Sequence, residues 1–182
     1  MDTIRDGAFG LTNTNRLVRF YNGCTGLKTG STEKAGFCVS ATAKRGEMSL
    51  ICVIMGAESR DIRNAEATSL LDWGFANYEL YRVPAQELSP ISIIGGKASE
   101  CKTISSEFTC VLPKNRVSSV EQVVELPKKL SAPISRGDVV GKIIFKVGGT
   151  SIGECEIRAI ENIPKISFFD IFCRALANFL LI

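Results

Sequence analysis

Apolar and polar positions change rhythm several times along the chain, and each change predicts an element. Between Phe37 and Lys44 apolar residues are interrupted by Ser40 and Thr42, which predicts a strand. Met48–Met55 holds a nearly continuous apolar run, Leu50-Ile51-Cys52-Val53-Ile54, expected of a strand buried on both faces. Arg45-Gly46-Glu47 between them reads as a hairpin connection. From Ser59 to Tyr78 the period becomes helical. Ala67, Leu70, Leu71, Gly74, Phe75 and Tyr78 then share one apolar face. Ser59 is placed to cap this helix, and Asp61 lies in its first turn, where the dipole favours a carboxylate. Trp73 lies beside the apolar face, and core packing is expected of it rather than ligand stacking. Upstream, residues 4–20 read as irregular, with a short amphipathic piece over Asn15–Tyr21.

At Val83-Pro84 the texture shifts to β-branched residues punctuated by Gly and Pro. Strands are predicted at Ile91–Ile94, Glu107–Leu112, Val117–Leu126, Val139–Val147 and Ser151–Ala159, with turns at Gly95-Gly96, Pro113-Lys114-Asn115, Ser135–Asp138 and Gly148-Gly149. That density of short strands predicts a small all-β sandwich. The basic residues of Lys128–Asp138 read as a solvated loop. After Pro164 the pattern changes again. Residues 165–182 are mostly apolar, and the polar Ser167, Asp170, Arg174 and Asn178 fall at i, i+3, i+7 and i+11, one narrow stripe on a helix. An amphipathic helix lying on a membrane surface is expected; with Asp170 and Arg174 in it, a spanning helix is not. The expected organisation is therefore three parts: 1–83, 84–162 and 163–182.

Composition narrows the chemistry. In 182 residues, 45 % are hydrophobic and 23 % charged, which suits a globular core rather than disorder. A net charge of +3, with no Lys/Arg block, gives no reason to expect nucleic acid as a partner. There are no histidines, which excludes Ser-His-Asp and Cys-His catalysis and most zinc sites, so no metal or cofactor is expected. The seven cysteines stand singly, without a C-x-x-C pair, and are expected to be buried free thiols. The first residues, Met1-Asp2-Thr3-Ile4-Arg5-Asp6, are polar and hold no apolar signal region.

The stretch with the most chemistry is Gly26-Leu27-Lys28-Thr29-Gly30-Ser31-Thr32. A ligand ending in a carboxylate needs a cation and a hydroxyl donor, which Lys28 and Thr29 supply. Gly30 lets a peptide lie against the strand as an added strand. The Ser31 amide can then point at a carbonyl oxygen under attack.

Lys-Thr-Gly alone is weak. Its flanks, Gly-Leu-Lys-Thr-Gly-Ser-Thr followed by Lys34-Ala35-Gly36-Phe37-Cys38-Val39-Ser40-Ala41, resemble the serine-type D-Ala-D-Ala carboxypeptidases, the low-molecular-mass penicillin-binding proteins. The resemblance extends to Asn13-Thr14-Asn15-Arg16-Leu17, Met55-Gly56-Ala57 and Leu70–Phe75, and then to the end of the chain. It implies an α+β fold. Residues 1–83 would form the C-terminal part of a β-lactamase/transpeptidase-like catalytic domain, an antiparallel sheet plus helix. A small all-β sandwich domain and a C-terminal amphipathic helix would follow. It also implies a reaction: a serine attacks the bond between the last two D-alanines of a peptidoglycan stem peptide, and water releases the acyl-enzyme. β-Lactams acylate the same serine. Lys28 and Ser31 would be catalytic, and Lys28, Thr29, Gly30 and Arg63 would hold the substrate. The implied place is the outer face of a bacterial cytoplasmic membrane.

The family's other two motifs, Ser-x-x-Lys and Ser-x-Asn, belong upstream of Lys-Thr-Gly. Neither occurs in the 27 residues before Lys28. Two Ser-x-x-Lys matches do occur, at Ser31…Lys34 and Ser99…Lys102. The first overlaps the Lys-Thr-Gly strand and the second falls in what reads as a polar loop, so neither is expected to be a nucleophile. The expectation is a truncated chain, inactive by itself. Two alternatives stand beside it: a relative of the serine β-lactamases, and a non-catalytic wall- or membrane-associated module.

Overall fold

The computed structural model describes residues 2–4, 9–11 and 13–180. The fold is α+β and divides into two compact units, Met1–Leu80 with Val111–Lys114, and Tyr81–Cys110 with Asn115–Ile182.

The first unit opens with two short paired strands, β1 (Asp2–Ile4) and β2 (Phe9–Leu11), the second of them within residues 4–20, the stretch expected to be irregular. A single turn of helix, α1 (Leu17–Phe20), leads into β3 (Cys24–Thr32), β4 (Gly36–Arg45) and β5 (Met48–Ala57). These three form an antiparallel sheet in the order β3-β4-β5. Helix α2 (Arg60–Asn77) follows, capped as expected by the Ser59 side chain, which accepts from the Ile62 amide at 3.2 Å. Val39, Ala41 and Ala43 of β4 and Cys52 of β5 turn inward and share a core with Ala67, Leu71 and Phe75 of α2. Gly74 lets α2 and Leu50 approach closely. A methyl group on Gly74 would come within 2.6 Å of Leu50 Cδ1.

Two side chains of α2 and one face of β5 differ from expectation. Leu70 and Trp73 are exposed, at 45 % and 55 %, because the buried stripe of α2 is Arg63-Ala67-Leu71-Gly74-Phe75 and both lie outside it. Trp73 packs instead edge-on against Tyr78, with ring centres 5.6 Å apart. Strand β5 is buried on one face only. Cys52 is buried and Leu50 and Ile54 pack against the core, whereas Ile51, Val53 and Met55 are exposed.

Arg45 ties this core to its rim. Its guanidinium lies 5.0 Å from the Tyr21 ring centre, 4.6 Å from that of Phe75, and 3.0 Å from Asp72 Oδ1. Tyr21 donates its hydroxyl to the same carboxylate at 2.8 Å. Burial first, and then the Asp72 hydrogen bond, push the Tyr21 phenol up to about 12. Arg45→Ala should cost about 1–2 kcal/mol, two cation–π contacts and a half-exposed ion pair. Urea unfolding followed by Trp73 fluorescence measures it; an unchanged midpoint would show that the contacts contribute nothing net.

The second unit is built on a six-stranded sheet in the order β10-β12-β13-β8-β7-β11. In chain order the elements after α2 are β6 (Tyr78–Val83), β7 (Glu87–Ile94), β8 (Glu100–Ser105), β9 (Phe108–Pro113), the single turn α3 (Lys114–Val117), β10 (Val120–Glu125), β11 (Lys129–Ser131), β12 (Val139–Val147) and β13 (Thr150–Ala159); the first three residues of β6, the last three of β9 and Lys114 count with the first unit. Strands β6 and β9 pair separately. Tyr81 and Phe108, from that pair, cover Phe145 of the large sheet; the Phe108 ring stacks on it with centres 4.0 Å apart. Sheet packs on sheet, as the strand density predicts.

The stretch read as a polar loop around Ser99…Lys102 is the start of β8, whose Cys101, Thr103 and Ser105 point inward and are buried. Ser99 therefore stands at the head of a strand and opens no helix. The described cysteines are all free; Cys52, Cys101 and Cys155 are buried, Cys24, Cys38 and Cys110 half-buried, and Cys173 exposed.

Ile163 belongs to the β core, and the terminal helix α4 (Phe168–Leu180) begins after it. A reciprocal cap starts the helix. Ser167 donates its amide and its hydroxyl to Asp170 Oδ2 at 2.9 and 2.7 Å, and the Asp170 amide donates to Ser167 Oγ at 3.2 Å. Lys97 adds an ion pair to Asp170 Oδ1 at 3.0 Å. The Ser167 hydroxyl first, then the Ser167 amide and Lys97, hold Asp170 down from 3.8 to about 2. A depressed carboxylate stabilises the fold above its unfolded value, and that stabilisation is lost as pH falls through the folded one. The cap should therefore be intact at pH 4 and open near about pH 2. A carbon-13 titration of the Asp170 carboxyl measures this; a midpoint near 4 would place the carboxylate away from Ser167.

Candidate substrate-anchoring site

Strand β3 lies at one edge of its sheet, so among the described residues its outer edge has no neighbouring strand. Its inner edge pairs Lys28 with Ser40, Thr29 with Val39, Gly30 with Cys38 and Ser31 with Phe37. The Lys28 ammonium donates to the Thr29 carbonyl at 2.7 Å, and the Thr29 and Thr14 hydroxyls share a hydrogen bond of 3.0 Å. Nothing lies within 4 Å of where a Cβ on Gly30 would stand. The chain's own packing leaves that position open, so a side chain would intrude only on whatever approaches from outside.

The segment before β3 is held by asparagines. Asn13 Oδ1 accepts from the Asn15 amide at 2.9 Å, and Asn15 Oδ1 accepts from the Leu17 amide at 3.1 Å, starting α1. Asn15 is fully buried, and its Nδ2 finds no acceptor among the described residues.

Arg63 changes the picture most. An arginine in the second turn of a helix is ordinarily exposed, yet this one is 3 % exposed. Its Nε and Nη2 donate to Asn64 Oδ1 at 3.2 and 2.9 Å, and Nη1 donates to the Cys38 carbonyl at 3.4 Å, beside Gly30 in the β3–β4 register. None of these acceptors is charged, and no carboxylate lies within ion-pair distance among the described residues. Burial first, and then repulsion from Arg60, lower its pKa. A buried cation with neutral partners is costly unless an anion joins it.

A cavity of about 740 Å³ brings Lys28, Thr29, Gly30, Ser31 and Arg63 together. These are all the residues singled out in the sequence for substrate or catalysis. Thr14, Arg16, Arg19, Phe20 and Arg60 also line it and were not singled out for a role. Spacing could have found one of them: Arg60 stands three residues before Arg63 on the same side of α2. Ser31 is exposed, on the strand itself. No group of three or more potential metal ligands occurs among the described residues.

The arrangement is an edge strand with a cation, a hydroxyl and an open glycine, backed by a buried arginine. It suits a peptide that pairs with the strand and ends in a carboxylate. Residues 2–59 match the family described as D-alanyl-D-alanine carboxypeptidase, and residues 84–165 match the C-terminal domain of penicillin-binding protein 5. The chain belongs to the D-alanyl-D-alanine carboxypeptidase family of serine-type hydrolases, with a C-terminal domain of the penicillin-binding protein 5 kind.

It is 33 % identical to the D-alanyl-D-alanine carboxypeptidase DacF of Bacillus subtilis over 177 residues, covering 95 % of this chain and 46 % of that protein. It is likewise 33 % identical to DacC of Escherichia coli over 162 residues, 86 % of this chain and 40 % of that one. The crystal structure of penicillin-binding protein 5 from Haemophilus influenzae matches with a TM-score of 0.68 at 30 % identity, covering 82 % of this chain and 45 % of that one. The chain thus spans about half the length of the relatives it matches.

Proposed function

We propose that this chain supplies the carboxylate-anchoring side of a site for peptidoglycan stem peptides ending in D-Ala-D-Ala. Lys28 and Thr29 take the terminal carboxylate, with Arg63 behind them. The peptide pairs with β3 across Gly30, and the Ser31 amide faces the carbonyl under attack. In this reading Lys28 also belongs to the proton network of the reaction, and β-lactams occupy the same place through their carboxylate. Residues 1–83 act as part of a transpeptidase-like catalytic domain, 84–162 as an all-β domain, and 163–182 as the segment that meets the outer face of the cytoplasmic membrane. The observation that carries the reading is Arg63, a buried arginine without an anion beside the Lys-Thr-Gly strand. The match of residues 84–165 favours a carboxypeptidase over a β-lactamase relative.

The 27 residues before Lys28 hold neither Ser-x-x-Lys nor Ser-x-Asn. The 182-residue chain should therefore bind N-acetyl-D-Ala-D-Ala reversibly without releasing D-Ala, and should gain no mass from benzylpenicillin. Titration of nitrogen-15-labelled chain should move the Thr29, Ser31 and Arg63 signals, and Lys28→Ala should weaken binding by about tenfold. Movement elsewhere only would overturn the anchoring role. A penicillin adduct mapped to Ser31 or Ser99 would overturn the inactivity.

A second reading, a non-catalytic module held at a membrane or wall, is favoured by α4. Phe168, Phe169, Ile171, Phe172 and Leu176 are all exposed on it. No helix among the described residues is long and apolar enough to cross a membrane.

A further inference from the structure

Helix α4 is seated on the β domain rather than hung from it. Ile134 and Ile163 exchange backbone hydrogen bonds of 3.0 and 2.8 Å, and the chain then runs against the turn that joins β7 to β8. The Lys97 amide donates to the Pro164 carbonyl at 2.9 Å and the Ile166 amide to the Gly95 carbonyl at 2.8 Å, with Lys165 opposite Gly96. The turn has no slack against the core: a Cβ on Gly96 would stand 2.7 Å from Ile93 Cγ2 and 2.9 Å from Ile163 Cγ2. Ser167 alone separates the last of these bonds from the first residue of α4. Lys97 then reaches Asp170 at 3.0 Å, a tie between the turn and the helix itself.

That tie fixes which side of α4 the domain meets. At about 100° per residue, Phe168 and Phe172 project roughly opposite Asp170, and Phe169 and Leu176 lie to one side of them. All four are exposed, and no described residue of α4 enters the β core. The apolar stripe is thus turned away from the Gly95–Lys97 turn. Lys97, Lys128, Lys129 and Lys165 stand at this end of the sheet against Asp170, Glu100 and Glu161, a balance that suits an anionic surface.

Strand register defines the other end. Strand β12 runs from Val139, opposite Arg158, to Val147, opposite Thr150, and β13 returns to Ala159, opposite Thr103 of β8. The Gly148-Gly149 turn therefore lies at the far end of the sheet from α4. The nine residues of β12, at about 3.3 Å each, put about 25–30 Å between the two ends.

We infer that α4 and the β domain meet an anionic bilayer as one rigid body. The apolar stripe is immersed, the Gly95–Lys97 turn and Lys165 lie at the headgroups, and the Gly148-Gly149 turn is held away in water. This inference rests on the membrane reading of residues 163–182 and extends it from the helix to the domain that carries it.

The test uses the full 182-residue chain, nitrogen-15-labelled, on phosphatidylglycerol/phosphatidylcholine nanodiscs that carry a gadolinium-chelating lipid. Amides of residues 95–98 should lose most of their intensity, whereas those of residues 147–151 should keep theirs. In a second chain, a flexible linker of about eight Gly and Ser residues between Ile166 and Ser167 leaves the Ser167–Asp170 cap and the stripe in place. It should still co-sediment with anionic liposomes, and the difference between the two turns should disappear.

Equal intensity at the two turns of a bound parent chain, or the reverse order, overturns the rigid seating and leaves the membrane role of α4 standing. A difference that survives the linker also overturns it, since the β domain then finds its own attitude at the lipid. Loss of binding by the linker variant counts for the seating, because the stripe is unchanged and only the junction is gone. If the parent chain does not associate with the nanodiscs, the membrane reading fails and the seating with it.

Discussion

Removing residues 167–182 should abolish co-sedimentation of the chain with anionic liposomes. On α4, Phe168 is 84 % exposed and Phe169 72 %, and Ile171, Phe172 and Leu176 are about half exposed. Each is worth roughly 1.5–3 kcal/mol when fully buried. Immersion at an interface is partial, but even half the lower value summed over five side chains is about 4 kcal/mol, about a thousandfold in partitioning. The polar side is already engaged: Asp170 is bound by Ser167 and Lys97, so the helix presents its apolar stripe without having to expose a buried charge. The cut belongs after Ile166, because Ile163 is 1 % exposed in the β core and its removal would damage the domain. A Phe172→Glu variant keeps the helix and should lose most of the binding. If the truncated chain sediments as well as the parent, the anchor reading fails.

Elements whose inward residues are large and apolar were legible in the sequence, and the others were not. β4, β5 and α2 announce themselves through Val39, Cys52, Leu71 and their neighbours, and β12 and β13 through Ile143, Phe145 and Ile157. Strand β8 alternates just as regularly, but its inward residues are Cys101, Thr103 and Ser105, so hydrophobic alternation cannot distinguish it from a polar loop. Strand β6 follows α2 without a break, and Tyr78 fits the helical period as well as the strand that it begins. The exposure of Trp73 and Leu70 depends on which residues α2 turns toward the sheet, a tertiary fact that a helical period narrows only to a broad face.

The site divides along the same line. Lys28, Thr29, Gly30 and Ser31 are contiguous, so their chemistry can be read from the string. Arg63 is a different case. Its position in the string suggests an exposed helix start, whereas packing against β4 buries it beside Cys38. The arginines at 16, 19 and 60 gain meaning only when α1 and the start of α2 are brought to one cavity.

The second large effect expected is along β5. This strand is the other edge of the first unit's sheet: it pairs with β4 on one side and with no described strand on the other. Ile51, Val53 and Met55 occupy alternate positions and are 71, 58 and 77 % exposed, so the unpaired edge adjoins an apolar stripe. Such an edge invites pairing with another chain, and nothing blunts it here, since residues 50–57 hold neither Pro nor a charge. In a monomer, every second amide of β5 points away from β4 and should exchange hydrogen at close to the unprotected rate. Amides of Ile143–Phe145, in a strand paired on both sides, should be slower by several orders of magnitude. Self-association should rise with concentration, and Val53→Lys should weaken it by about tenfold or more, because a half-exposed apolar side chain becomes a charge at the contact. Sedimentation velocity and exchange mass spectrometry measure the two effects. Uniformly slow exchange across residues 49–57 in a monomeric sample would mean that the outer edge has a partner within the same chain, and the expectation of a weak, adhesive edge would be wrong.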